Sequence, residues 1–268
     1  MINHYYKIKD KYHKKIALLS DIHYSKHYDE TIFLKIIQNL NKNKPDYICI
    51  AGDIIDDSKT LDDKILKNRL INFFKNLSLI SPVLFIVGNH DMTKFQDYKV
   101  YYKYNRNFFS SLNNLPNVTF LENNSKTIGN INFIGMNTNF EYYEKIKEKT
   151  IDDLNNSFNN IKKYIKKDKY NILLFHSPIN ILKVDDIEKV DLVLSGHMHN
   201  GLVFKFLEKK GNRGFVGPFT NLFPVLARGM KKDKTTLIIS GGIIKLSYHT
   251  KISKFNKLYD MHIEYIDI

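Results

Sequence analysis

Short apolar runs that stop abruptly at polar clusters recur along this chain. Residues 15–20 are apolar from Ile16 to Leu19 and end at Asp21, the pattern of a buried strand. Residues 29–39 carry Ile32, Phe33, Ile36 and Ile37 at helical spacing, with Leu40 continuing the stripe. Pro45 leads into the apolar run 47–51. Ile65, Leu66, Leu70, Phe73, Phe74 and Leu77 then mark one face of a second helix over 64–77. Pro82 opens a third run at 83–87. The pattern up to this point predicts βαβαβ, with a polar cluster after each strand. Open α/β sheets place ligands at that carboxyl edge.

Further on the pattern is less regular. The tyrosine-rich residues 95–107 predict a helix or an ordered excursion leading to Phe108-Phe109. Residues 117–121 read as a short strand, and 127–135 as a hairpin with Gly129 in the turn. Residues 151–165 suit a lysine-rich helix. The run 170–175 delivers His176 and is stopped by Pro178, and 190–194 delivers Ser195-Gly196-His197. Strand-like stretches follow at 202–207, 236–240 and 261–266. Nothing reads as a linker or a repeat. The expectation is one domain over 1–268, built of two packed mixed sheets flanked by helices.

Composition narrows the setting. At 268 residues and 43% apolar, the chain can bury a full core. It has no apolar run long enough for a transmembrane helix. Its first residues lack the apolar stretch of a secretory signal. Cys49 is the one cysteine and sits in an apolar run, so a reducing, cytoplasmic location is expected. The net charge of +13 attracts polyanions, either nucleic acid or an anionic membrane surface. The lysines are spread widely, however, and compositional bias explains the charge at least as well. No zinc-finger spacing or aromatic-basic signature of an RNA-binding sheet is present.

The polar clusters carry the chemistry. They are Asp21-Ile22-His23, Gly52-Asp53-Ile54-Ile55-Asp56, Gly88-Asn89-His90-Asp91, His176, and Gly196-His197-Met198-His199. Carboxylate, imidazole and amide without thiolate suit a pair of divalent ions among manganese, iron, zinc and cobalt, with manganese the first choice for assay. In an extended backbone Asp21 and His23 point the same way, as do His197 and His199. Asp53 can offer one oxygen to each of two ions. Asn89 adds a neutral oxygen that limits negative charge near an anionic substrate.

In type and order these residues resemble the calcineurin-like metallophosphoesterase superfamily, with motifs from Asp21 to His199 and a tail similar to the family's later strands. The resemblance implies an α/β fold, a four-layer α/β/β/α sandwich with its site at the sheet edges. It implies one ion on Asp21, His23, Asp53 and His199, and a second on Asp53, Asn89, His176 and His197. His90 would face the substrate and protonate or stabilise the leaving oxygen, with Asp91 orienting its ring. Asp56 would support the ligands from behind. Direct attack of water on phosphorus is expected, with no phosphoenzyme.

One departure redirects the reading. The protein phosphatase branch has Asp-Arg-Gly where this chain has Asp56-Asp57-Ser58, so the arginine is missing. The stretch from Gly196-His197-Met198-His199-Asn200-Gly201 to Gly241-Gly242 is similar to a bacterial branch of phosphodiesterases and lipid-headgroup pyrophosphate hydrolases. The expected function is hydrolysis of a small or lipid-headgroup phosphoester, at the membrane surface or free in the cytoplasm. A nuclease and a scaffold with a degenerate site are the alternatives, and nucleic acid is the less favoured partner. The apolar loop 214–226, together with Arg213 and Arg228, could shape the pocket or simply pack at the surface. Tyr98, Tyr101, Tyr102 and Tyr104 are expected to pack in the core and rim, with a lid as the alternative. Oligomeric state is not legible in the sequence.

Overall fold

A computed structural model describes residues 1–8, 11–96, 99–138, 140–144, 150–205 and 227–268. In chain order its strands are β1 (Ile2–Lys7), β2 (Lys15–Leu19), β3 (Tyr47–Ala51), β4 (Val83–Ile86), β5 (Thr93–Gln96), β6 (Lys99–Tyr102), β7 (Val118–Phe120), β8 (Ser125–Ile128), β9 (Ile131–Gly135), β10 (Tyr170–Leu174), β11 (Leu192–Ser195), β12 (Gly229–Lys232), β13 (Thr236–Ile239) and β14 (His262–Asp267). The helices are α1 (Thr31–Asn43), α2 (Lys64–Ser78), α3 (Arg106–Ser111), α4 (Phe140–Glu144) and α5 (Thr150–Ile161).

Two six-stranded mixed sheets result, ordered β1-β14-β2-β3-β4-β7 and β12-β13-β11-β10-β9-β8. Within the first, β2, β3, β4 and β7 are parallel. Within the second, β9, β10, β11 and β13 are parallel. Each set therefore ends its strands at one edge.

The continuous apolar runs follow from this layering. Strand side chains alternate, and both faces of each central strand are covered. Ile16, Leu18, Cys49, Ala51, Leu84 and Ile86 meet Phe133, Ile172, Leu174, Leu192 and Leu194 in a cluster between the sheets. Ala17, Leu19, Ile48, Ile50 and Phe85 belong instead to the outer apolar layer with the helices. Each such leucine, isoleucine or phenylalanine contributes about 1.5–3 kcal/mol by leaving water. In that outer layer α1 buries Ile32, Phe33, Ile36 and Leu40, while α2 buries Leu70, Phe73, Phe74 and Leu77. The Phe33 and Phe73 rings stack at 4.0 Å between the two helices. Asp63 caps α2 by accepting from the Ile65 and Leu66 N–H groups. Leu154, Phe158 and Ile161 of α5 are buried with Leu173 and Val193, whose side chains leave the second sheet on the face away from the first. The α/β/β/α sandwich is thus the architecture observed.

The differences from expectation are local. The described residues of 95–107 form the end of β5, its antiparallel partner β6 and the start of α3 in place of one helix. The stripe over 151–165 ends its α-helix at Ile161 and passes into a 3₁₀ turn. Residues 199–201 are a 3₁₀ turn, and 202–205 are not strand; 206 and 207 lie outside the described residues, as do Tyr98, Arg213 and the loop 214–226. No helix among the described residues is long and apolar enough to cross a membrane.

Candidate metal centre

The predicted clusters follow β2, β3, β4, β10 and β11 directly, so two sheets deliver them to a common edge. The backbone there is not extended. Asp21, His23, Asp53, His197 and His199 have φ of 52°, 49°, 51°, 70° and 48°. This left-handed region costs a residue with a Cβ roughly 1–2 kcal/mol. It is held by hydrogen bonds between the loops, Asp21 N–H to the Gly52 carbonyl at 3.1 Å and His23 N–H to that of Asp53 at 3.0 Å. Asp21 and His23 enter one donor group while His197 and His199 enter different ones, so the expected convergence holds for the first pair alone. Its cause is tight left-handed turns rather than strand alternation.

Three groups of donors form among the described residues, one of them His23, Asp56 and His90, and the other two share Asp53. Asp21, His23, Asp53 and His199 place one ligand atom each within 4.8 Å of one another, and so do Asp53, His176 and His197. Asp53 belongs to both. Its Oδ2 lies 3.2 Å from His176 Nε2 and 3.7 Å from His23 Nε2. Asp21 Oδ1 lies 3.5 Å from His199 Nε2.

The surrounding bonds fix which atoms face inward. His176 Nδ1 sits 2.6 Å from the Ala51 carbonyl, and His199 Nδ1 sits 2.8 Å from that of Ile244. A carbonyl only accepts, so each Nδ1 carries the proton and each Nε2 lone pair is left for a ligand. His23 Nδ1 is held by Asp56 Oδ1 at 2.9 Å. His23 Nε2, His176 Nε2, Asp53 Oδ2 and Asn89 Oδ1 are buried and make no hydrogen bond within the described protein. Buried polar atoms are normally satisfied, and the three orphans on His23, His176 and Asp53, grouped about Asp53 Oδ2, fit a bound cation. The donor set, carboxylate, imidazole and amide, fits two divalent ions sharing Asp53.

Charge follows the same logic. Burial alone would lower the His23 pKa, but the Asp56 hydrogen bond and the charges of Asp53 and Asp21 raise it to about 9. Burial likewise opposes protonation of His176, yet Asp53 and Asp21 raise it to about 9. His197, buried beside His176, falls to about 3, and His199 falls to about 4 chiefly through burial. Burial works against ionised Asp53, but His176, His90 and His23 hold it well below the usual carboxylate range. Without metal, protons on His23 and His176 thus take the place of cationic charge.

The predicted pairing of Asp91 with His90 is corrected. Asp91 Oδ1 accepts from the Ile54 and Ile55 N–H groups at 2.9 Å each, and its Oδ2 accepts from Gly88 N–H at 2.8 Å. Asp91 therefore ties the loop after β3 to the loop after β4. Burial, with Asp53 nearby, raises its pKa to about 7. The His90 ring instead donates from Nδ1 to the Asp56 carbonyl at 2.8 Å, and Asp53 Oδ1 accepts from His90 N–H at 2.8 Å. An adjacent carboxylate looked like the natural partner, but the 3₁₀ turn at His90–Met92 buries Asp91 beneath the loops.

Other residues join from elements that carried no motif. Tyr248 N–H donates to Asp56 Oδ2 at 2.9 Å, and His249 Nε2 lies 3.4 Å from carboxylate oxygens of Asp56 and Asp57. The His249 ring stacks on Phe95 at 4.3 Å. Tyr143 packs against the rings of His176 and His197. Only their aromatic character could have flagged them. Arg228 reaches His4 and His262 at 3.0 and 3.1 Å. Tyr101 and Tyr102 are exposed on β6 against the expectation of packing, whereas Tyr104 is partly buried, with its hydroxyl on Glu122.

Known proteins share this arrangement of sequence. A metallophosphoesterase of Helicobacter pylori is 30% identical over 72% of this chain and 46% of its own length. The metallophosphoesterase YkuE of Bacillus subtilis is 28% identical over 70% of this chain and 59% of its own. A solved dimetal phosphatase from Danio rerio aligns with a TM-score of 0.46 at 11% identity, covering 89% of this chain and 90% of the other. The chain spans about half the length of the first curated relatives it matches, 46%, 46% and 53%. Residues 14–201 match the family described as calcineurin-like phosphoesterase, a span that holds all three donor groups, and the chain belongs to that family.

Proposed function

We propose that this chain is a dinuclear metal-dependent phosphoester hydrolase, acting on a small or lipid-headgroup phosphoester. The observation that carries the reading is the convergence of buried, hydrogen-bond-free donor atoms on a volume shared through Asp53. In this reading Asp21, His23, Asp53 and His199 hold one ion, and Asp53, Asn89, His176 and His197 hold the other. When bound, the ions supply Lewis-acid polarisation of phosphoryl oxygens and activation of water near neutral pH.

The chain's own groups do the rest. Ala51 and Ile244 fix the His176 and His199 tautomers through their carbonyls. Asp56 fixes His23, and its carbonyl points the His90 ring so that Nε2 is left for the substrate. Burial lowers the His90 pKa, so the ring is neutral before substrate arrives. An anionic phosphoester beside it raises that pKa, the ring takes up a proton from water, and His90 then donates it to the leaving oxygen. Position 57 carries Asp where a protein phosphatase would have arginine, which argues for the bacterial phosphodiesterase-type branch. The buried Cys49 thiol and the +13 charge support a cytoplasmic enzyme that can approach an anionic membrane.

Manganese reconstitution followed by assay on p-nitrophenyl phosphate and bis-p-nitrophenyl phosphate tests this. Hydrolysis lost in Asp53→Asn is expected. Substituting His90→Asn should slow alkyl esters more than p-nitrophenyl esters, because a poor leaving group needs the proton more. A protein that takes up no divalent ion would sink the proposal.

A further inference from the structure

A groove of about 920 Å³ is lined in part by Met92, Tyr101, Tyr102, Arg106, Thr138 and Phe140. Two of its lining residues, Met92 and Phe140, tie it to the centre's surroundings. Met92 closes the turn that begins at His90. Phe140 stands three residues before Tyr143 on α4, and the Tyr143 ring lies 6.0 Å from that of His176 and 5.7 Å from that of His197. A phosphoester seated at the centre would extend a substituent along this groove.

The lining indicates what that substituent is. Tyr101 is 46% exposed and Tyr102 is 61% exposed, so neither is a packing residue. The Tyr102 ring lies 5.8 Å from that of Phe140, giving two neighbouring aromatic faces. Around them the wall is polar, with Arg106, Glu122, Asn123 and Asn137. Acyl chains would meet charge and amide groups there. A planar ring with polar edges finds aromatic faces to stack on and polar groups around its rim. The size also falls within the roughly 300–1,000 Å³ of small-molecule sites.

We propose that the groove takes a nucleobase carried by the scissile phosphoester, stacked on Tyr102 with its edge toward Phe140, which makes the substrate a nucleotide phosphodiester. This rests on the hydrolase reading above and narrows its substrate class. A free nucleotide ester and a single strand offer the same base, so the test includes both.

The manganese-loaded protein is assayed on thymidine 5′-p-nitrophenyl phosphate and on methyl p-nitrophenyl phosphate, which share one leaving group. The nucleoside ester should be favoured at least tenfold in kcat/KM. Substituting Tyr102→Ala should cut that preference about tenfold, or ~1.4 kcal/mol, and Tyr102→Phe should retain it. Equal turnover of the two esters, or a preference untouched by Tyr102→Ala, overturns the inference while leaving the hydrolase reading intact. Turnover of neither ester counts against the hydrolase reading alone, and binding then decides the inference. AMP should bind the manganese-loaded protein more tightly than inorganic phosphate, by a margin that Tyr102→Ala removes. AMP no better than phosphate overturns it. A thymidine oligonucleotide binding more tightly than AMP assigns the base to a strand, and the reverse assigns it to a free nucleotide; each supports the groove.

Discussion

Adding one methyl group at Gly88 should dismantle the centre. An added Cβ there would lie 2.3 Å from Asp53 Oδ1, 2.6 Å from the Asp53 nitrogen and 2.8 Å from His176 Cδ2, where ordinary contact begins at 3.4 Å. The gap is short by about an ångström on several sides. Asp53 N is backbone, and the His176 ring is pinned on the Ala51 carbonyl. Relief therefore requires the loops after β3 and β4 to part, and the His90 N–H bond to Asp53 Oδ1 goes with them. Overpacking costs about 1–3 kcal/mol, and a hydrogen bond to a carboxylate about 1.5–3 kcal/mol. Gly88→Ala should lose roughly 2.5–6 kcal/mol of stability on those two counts. Gly129→Ala is the control. Its φ is +60°, but nothing lies within 4 Å of an added Cβ. It meets only the left-handed penalty of about 1 kcal/mol, partly offset through the unfolded chain. Urea melts with and without manganese, plus metal content per chain by mass spectrometry, read both effects. Gly88→Ala should be less stable and metal-depleted, and Gly129→Ala near wild type. Equal behaviour of the two variants would refute the close packing of these loops.

Asp56 holds His23 and Tyr248 through its side chain, so Asp56→Asn should weaken metal affinity about 10–100-fold; titration calorimetry showing wild-type affinity would exclude that role. Chelation should lower the melting temperature, and re-added manganese should restore stability by about 2.7 kcal/mol at a hundred times its Kd; a melt indifferent to chelator contradicts a metal centre. With His23 and His176 raised to about 9 from 6.5, their contribution to the metal-free fold is full below pH 6.5 and lost as pH rises through 9. The metal-free melting temperature should fall over that window while metal affinity rises, because uptake displaces those protons; a flat metal-free profile would count against it. Burial raises Glu264 to about 7 from 4.5, outweighing the Gly241 N–H bond and the Lys245 charge, so the fold holds an extra proton between those values and loses stability as pH rises across them. Glu264→Gln should remove that slope in pH-dependent urea melts, and an unchanged slope would assign it elsewhere.

The strands and the donor types were legible because both are local. A strand covered on both faces must be apolar at nearly every position, and 47–51 and 170–174 are buried throughout. Edge strands lack that constraint. β12 reads Gly-Met-Lys-Lys with its last three residues exposed, and β1 is largely half-exposed, so neither left a pattern. The β5–β6 pair escaped notice for a similar reason. Its Lys99–Tyr102 strand is exposed throughout and shows no alternation.

By itself the sequence determined which chemical groups stand at the strand ends and in what order, because a strand's burial and its polar terminus are written in consecutive residues. Tertiary structure alone decided how those groups meet. It set left-handed turns at Asp21, His23, Asp53, His197 and His199 through bonds between loops. It sent Asp91 to three backbone N–H groups and gave the His90 ring to the Asp56 carbonyl. It brought Tyr248 to Asp56 across 192 positions, and left Tyr102 exposed beside Phe140. Hydrogen-bond partners and exposed faces depend on which distant segments pack together, and no periodicity within one segment encodes that.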